Sequence, residues 1–258
     1  MYRPRVIPAL LLKGLGLVKT VKFKNPRYIG DPINAVKIFN DLKADELVFL
    51  DIDASNENRT ISLDFIKNVG YEANMPFSVG GGIKSINDIV KIINAGAEKV
   101  ILNTSIFKNK SLINDAVNEF GSSTVVVSIN VKKKFLRGKR IYIYGQKKYT
   151  GLDPVEYSKY IEQQGAGEII INSIDNDGTM LGYDIDLIKE ISSNVSIPVV
   201  ALGGAGKLED LTCAVNKGYA SAVSAGSLFV YHGPRNAVLI NYPSKKELLK
   251  LFNNENIS

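Results

Sequence analysis

The chain has 258 residues, 45% of them hydrophobic and 22% charged, with a formal net charge of +6. That is enough for one large domain with a full core, which excludes a disordered or fibrous chain. No apolar run is long enough to cross a bilayer, and no signal peptide precedes the first strand pattern, so no membrane partner and a cytoplasmic setting are expected. The single cysteine, Cys213, excludes an internal disulfide, and the positive charge gives only weak attraction to anions.

Short apolar runs predict eight strands, at 6–12, 47–52, 77–79, 100–103, 124–130, 169–173, 198–202 and 222–225. Near-continuous hydrophobic segments are how strands covered on both faces read. Helical patterns alternate with them near 32–43, 60–70, 85–95, 110–119, 153–164, 184–193, 208–217 and 245–252. Asp31-Pro32 and Asp153-Pro154 each put an N-cap before a proline suited to the first helical position. Ile86, Ile89, Val90 and Ile93 cover one helical face.

The chain also repeats itself. Asp51 aligns with Ser173, Gly96 with Gly218 and Asn103 with Ala225, each 122 residues on. The period is too long for a solenoid and marks a duplicated half-domain. One domain over 1–258 is expected, with halves of about 1–122 and 123–258. Eight strands alternating with eight helices predict a (β/α)8 TIM barrel, with a doubly wound open sheet as the alternative.

Two duplicated stretches dominate. Pro76-Phe77-Ser78-Val79-Gly80-Gly81-Gly82-Ile83 and Pro198-Val199-Val200-Ala201-Leu202-Gly203-Gly204-Ala205-Gly206 are apolar runs that end in glycines, then a lysine and a helix. Glycine lets backbone N–H groups approach a ligand, and a helix start adds partial positive charge, so the pattern suits phosphate. Two tight turns without a ligand are the alternative. In a barrel, function sits where strands end. Those ends carry Gly81, Gly82, Asn103, Thr104, Asp177, Gly178, Gly203, Gly204, Gly226 and Ser227. They fall into two pairs of neighbouring strands, which predicts two phosphate sites and a bis-phosphorylated ligand spanning the mouth.

Lys132-Lys133-Lys134, Arg137 to Arg140 and Lys147-Lys148 cluster after the fifth strand, interspersed with Tyr142, Tyr144 and Tyr149. Alternation in Arg140-Ile141-Tyr142-Ile143-Tyr144 predicts a small hairpin in a long loop, either solvated or closing over an anionic ligand, rather than a nucleic-acid module. His232, the only histidine, has no metal-ligand neighbours at the right spacing. The glycine loops do not fit a P-loop, Gly14-Leu15-Gly16 lacks a third glycine, and Asp175-Asn176-Asp177-Gly178 misses the calcium-loop positions. No metal and no cofactor are expected.

Asp45-Glu46-Leu47-Val48-Phe49-Leu50-Asp51-Ile52, Val79-Gly80-Gly81-Gly82-Ile83, Gly165-Ala166-Gly167-Glu168-Ile169, Ser173-Ile174-Asp175-Asn176-Asp177-Gly178-Thr179 and Gly203-Gly204-Ala205-Gly206-Lys207 carry a resemblance. Over nearly its whole length the chain resembles the cyclase subunit of imidazole glycerol phosphate synthase. The resemblance implies a (β/α)8 barrel that takes ammonia from a glutaminase docked beneath it. In that family the ammonia cleaves and cyclises a ribulose-linked aminoimidazole ribonucleotide.

The departures from the family pattern carry as much information. Its acid/base aspartates, at the ends of strands one and five, are replaced here by Leu11 and Asn130, in a register held by Lys13, Lys19 and Val125-Val126-Val127. Leucine transfers no proton and an asparagine amide does not titrate in this range. Leu202 stands where the family has a serine. The family's ring of four charges at the ammonia entrance is matched in full by Arg5, Glu46, Lys99 and Glu168. A salt-bridge cluster that only stabilises is the alternative for those four.

Keeping the entrance while losing the reacting groups predicts an ammonia-conducting barrel without cyclase chemistry. It is most like the paralogues that accompany sugar amidotransferases in surface polysaccharide biosynthesis, where a separate enzyme makes an acetamidino sugar. The expected partners are a glutaminase of the class I amidotransferase type, a sugar amidotransferase and a phosphorylated small molecule. Two alternatives stand: an active carbon–nitrogen lyase using Asp51, Asp175 or Asp177, and a scaffold that only activates the glutaminase.

Overall fold

Eight apolar segments pair edge to edge and close on themselves. The structure, a computed structural model, describes residues 3–253. In chain order the elements are β1 (Arg5–Lys13), β2 (Gly16–Val21), β3 (Lys24–Gly30), α1 (Pro32–Asp41), β4 (Leu47–Asp51), α2 (Leu63–Glu72), β5 (Phe77–Gly80), α3 (Ile86–Asn94), β6 (Lys99–Leu102), α4 (Leu112–Phe120), β7 (Val125–Lys134), β8 (Gly138–Ile143), β9 (Lys148–Tyr149) and α5 (Pro154–Gln163). There follow β10 (Glu168–Ser173), α6 (Ile185–Ser192), β11 (Val199–Leu202), α7 (Leu208–Asn216), β12 (Ala222–Ala225), α8 (Ser227–Val230), β13 (Tyr231–His232), β14 (Ala237–Val238) and α9 (Lys245–Phe252).

The parallel strands run β1-β4-β5-β6-β7-β10-β11-β12 and back to β1. The β7–β10 pairing, with Glu168 opposite Val126 and Asn172 opposite Asn130, joins the two half-sequences. That ladder, with β12 against β1, closes the barrel and rules out the open sheet. Among the described residues no helix is long and apolar enough to cross a membrane.

Two apolar layers result from strand alternation. One lies between barrel and helices; α3 contributes Ile89 and Ile92, both fully buried. Truncating Ile92 to alanine there would cost about 2–5 kcal/mol. The other lines the barrel axis and consists of Ile7, Ala9, Val48, Ile101, Val126, Ile170, Val200, Leu202 and Ala222. Helix starts follow the expected caps. Asp31 accepts from the Asn34 N–H at 2.8 Å, and Asp153 from the Val155 N–H at 2.9 Å. The helix expected from 60 begins at Leu63, because Ser62 takes the cap and accepts from the Phe65 N–H.

The hairpin expected around 140–145 is larger than anticipated. β7 runs on past the barrel to Lys134, folds back as β8, and β9 adds a third strand. A corresponding antiparallel ribbon, β1-β2-β3, stands after the first strand; no sequence pattern predicted it. Both ribbons rise from strand carboxyl ends, so both sit at the rim of the mouth.

Candidate functional site

Charged residues gather at the base of the barrel, where the strands begin. Arg5, Lys99 and Glu168 open β1, β6 and β10, and Glu46 immediately precedes β4. All four side chains meet. Arg5 donates one guanidinium nitrogen to Glu46 and the other to Glu168. Lys99 Nζ lies 3.2 and 3.3 Å from the two oxygens of Glu46 and 3.4 Å from Glu168 Oε2. Ser78 Oγ, on β5, donates to Glu46 Oε1 at 2.8 Å. Two cations and two anions thus form a neutral ring in which every member contacts both opposite charges. Burial pushes the Arg5 pKa down, but Glu168 and Glu46 pull it up by more, so it ends above its ordinary value.

Two residues further along these strands, the inward positions become apolar: Ile7, Val48, Ile101 and Ile170. Two residues further again the wall divides. Ala9 and Leu50, with Leu11 above Ala9 and Leu202 on β11, are apolar; Asn103 and Asn172, with Ser128 and Asn130 on β7, are polar. This level is the floor of a cavity of about 380 Å³ that opens at the strand carboxyl ends.

All ten residues predicted at strand ends line this one cavity: Gly81, Gly82, Asn103, Thr104, Asp177, Gly178, Gly203, Gly204, Gly226 and Ser227. Leu11 and Asn130 line it too. The glycines do more than admit a ligand. A Cβ on Gly82 would lie 1.8 Å from the Arg59 carbonyl oxygen, and one on Gly204 would lie 2.1 Å from that of Gly182. Each is therefore also required by a neighbouring loop. Neither the N–H of Gly82 nor that of Gly204 donates to another described residue. Thr104 opens a 3-10 turn and Ser227 opens α8, where the first N–H groups have no partner within the helix. The two half-barrels therefore each present backbone donors to the cavity.

The remaining carboxylates are placed as follows. Asp51 is buried; its Oδ1 accepts from the N–H groups of Asp53 and Ala54 at 3.1 Å each, and Arg59 grips both oxygens. Asp175 turns to the rim, where it accepts from the Lys133 N–H at 2.7 Å. Asp177 faces Thr20 and Lys19. Burial raises the Asp177 pKa against the pull of Lys19. Lys19 Nζ donates to the Ala9 carbonyl at 2.9 Å, and burial holds its pKa down to about 8 against the pull of Asp177.

Four features escaped the sequence reading. Arg59 anchors Asp51, and Ser78 supports Glu46. Tyr144, from the β8–β9 turn, donates to the Phe23 carbonyl and packs edge-on against the Phe23 ring at 5.1 Å, so the two rim ribbons touch. Asn172 is 5% exposed, and its Oδ1 is buried without a hydrogen-bond partner among the described residues. Its position two residues beyond Ile170 on a strand opening with Glu168 was the available signal. His232 lies in the exposed β13–β14 ribbon, away from the cavity, and no cluster of metal-ligating side chains occurs among the described residues.

A family model described as histidine biosynthesis protein matches residues 5–234. A Pseudomonas aeruginosa protein provisionally named imidazole glycerol phosphate synthase subunit hisF2 is 48% identical over 248 residues, covering 96% of this chain and 99% of that protein. A Vibrio vulnificus protein provisionally named subunit hisF3 is 44% identical over 252 residues, covering 97% and 96%. The imidazole glycerol phosphate synthase subunit HisF of Alkaliphilus metalliredigens is 43% identical over 232 residues, covering 90% and 92%.

Proposed function

The chain belongs to the histidine biosynthesis protein family, among its HisF-type subunits, and from that membership we propose that it is the barrel subunit of a glutamine amidotransferase complex. A glutaminase docks at the base and releases ammonia beneath the ring of Arg5, Glu46, Lys99 and Glu168. The ammonia passes the ring, follows the apolar axis and leaves at the mouth. There it serves the amidination of a sugar in surface polysaccharide biosynthesis, carried out by a separate sugar amidotransferase. Gly82, Asn103, Thr104, Gly178, Gly204 and Ser227 hold the phosphates of a ligand at the mouth.

One observation carries this reading. The charged ring at the base is complete, while the inward ends of β1 and β7 present Leu11 and Asn130 to the cavity, neither of which can exchange a proton. Loss of one acid/base group typically costs 10²–10⁴ in rate, so loss of both leaves cyclisation negligible. Conduction asks less: an uncharged small molecule crosses an apolar layer without the desolvation cost an ion would incur.

The experiment supplies the glutaminase–barrel complex and the sugar-amidinating enzyme with nitrogen-labelled glutamine in the presence of unlabelled ammonium. Wild type should put the label into product. Val126→Trp, which fills the axis, should leave glutamine hydrolysis intact while the product draws on bulk ammonium. Labelled product from the plugged barrel would refute conduction and favour a scaffold.

A second reading, an active cyclase, draws on Asp177, which lines the cavity with a raised pKa. Growth of a histidine-requiring cyclase-deficient strain on this gene would establish it, and failure to grow would dismiss it.

A further inference from the structure

One side of the cavity floor carries the amides of Asn103, Asn130 and Asn172 with the Ser128 hydroxyl, while Lys19 reaches the Ala9 carbonyl on the β1 side. Asn130 and Asn172 are register partners on β7 and β10, and both line the cavity. Neighbouring strands lie about 4.8 Å apart, so the two side chains leave the wall side by side. Neither amide hydrogen-bonds to any other described residue. Asn103, one strand over, differs: its Nδ2 is committed to the Ser128 carbonyl at 2.8 Å. Asn172 Oδ1 packs over the Gly203 α-carbon, where a Cβ would lie 2.6 Å away. It is one of two buried side-chain atoms without a partner among the described residues. Native interiors pair such groups, and an unpaired amide in the wall of a cavity points to an occupant that the amide can turn to meet. No described residue fixes which end of either amide meets the lumen, so either end can turn to an occupant.

The surroundings restrict what that occupant is. Leu11 and Leu50 form the facing wall, and Leu202 lies beside Asn172 on β11. The carboxylates of the mouth are engaged elsewhere, Asp51 by Arg59 and Asp177 by Thr20 and Lys19. A cation resting at this floor would have no counter-charge and an apolar wall opposite, which is costly. A small uncharged molecule with N–H donors and one lone pair can donate to an amide oxygen and accept from an amide N–H at the same time.

We infer that Asn130 and Asn172 form a station that receives ammonia in its neutral form at the inner end of the mouth. The inference rests on the conduit reading and deepens it. A carboxylate at position 130 would stabilise the ammonium ion, as any opposite charge favours the charged form, and ammonium has no lone pair with which to react. Asparagine there removes the acid/base group and also keeps the cargo nucleophilic.

The test needs only the purified chain. Side-chain amide resonances of Asn130 and Asn172, assigned with Asn130→Leu and Asn172→Leu, are followed while ammonium chloride is added at several pH values. Matched potassium chloride at each pH is the control. The two resonances should move with the concentration of neutral ammonia and stay fixed when ammonium rises at constant ammonia. In Asn172→Leu the Asn130 response should weaken severalfold. In Asn130→Asp the Asn172 resonance should follow ammonium instead. Resonances that track ammonium in wild type, or that do not move at all, would overturn the station. The plugged-barrel experiment reads conduction separately, so an intact conduit with silent amides, or responsive amides in a barrel that does not conduct, are told apart.

Discussion

Glu46→Gln tests whether the four charges at the base act as one unit. Glu46 is 3% exposed and contacts Arg5, Lys99 and Ser78. Glutamine keeps the volume and removes the charge, leaving two cations to share Glu168. Breaking a buried ion pair costs about 3–5 kcal/mol, mostly from the charge left behind. The Arg5 and Lys99 side chains are 36% and 21% exposed, so water relieves part of that and the lower end applies, about 3 kcal/mol. For a chain of this size the melting temperature should fall by about 6–12 °C. Glu46→Gln combined with Lys99→Met makes the ring neutral again and should recover at least half of the loss. Urea denaturation at two salt concentrations, with calorimetry, measures both. A Glu46→Gln loss below about 1 kcal/mol, or a double variant no better than the single, would refute the coupled ring.

Three further outcomes follow from the mouth. Gly82→Ala should destabilise more than Gly14→Ala: both glycines have positive φ, but a Cβ at 82 meets the Arg59 carbonyl whereas one at 14 meets open space. The Gly14 change should cost about 1–2 kcal/mol for left-handed backbone alone, and equal losses in denaturant titrations would contradict the crowding. Lys19 has a folded pKa of about 8 against 10.5 for the unfolded lysine, so the unfolded chain binds more protons between those values and stability should rise with pH across that window. The gain is at most about 3 kcal/mol, and Lys19→Met should abolish it; wild type and variant with parallel profiles from pH 8 to 10.5 would show that Lys19 is not so shifted. Leu11→Asp with Asn130→Asp should raise ammonia-dependent turnover of the ribulosyl substrate by at least 10² over wild type, and no gain would mean that more than two positions separate this barrel from a cyclase.

The barrel was legible because buried parallel strands leave continuous apolar runs and because the halves repeat. The ring was legible because the family resemblance implies it, and each of its four residues here immediately precedes or opens an apolar run. The β1-β2-β3 ribbon was not. Lys24-Asn25-Pro26-Arg27-Tyr28 is exposed, polar and paired on one side, so it carries no alternation for a pattern to catch. The internal offset held the missing signal: β2 at Gly16–Val21 lies 122 residues before β8 at Gly138–Ile143, where a hairpin was expected. The glycines were read as space for a ligand, but Gly82 and Gly204 also give room to the carbonyls of Arg59 and Gly182. Which loops cross those glycines is set by tertiary packing, and no local pattern records it. Asn172 is not legible in the sequence, because an amide inside an apolar strand reads as a single polar interruption until the register sets it beside Asn130.

Ammonia passage through a barrel without cyclase chemistry is the central proposal. Turnover of the ribulosyl substrate by the glutaminase–barrel complex, with glutamine as the nitrogen source, tests that most directly. Glutamine should be hydrolysed with no imidazole product formed; product at rates approaching those of an authentic cyclase would contradict the account.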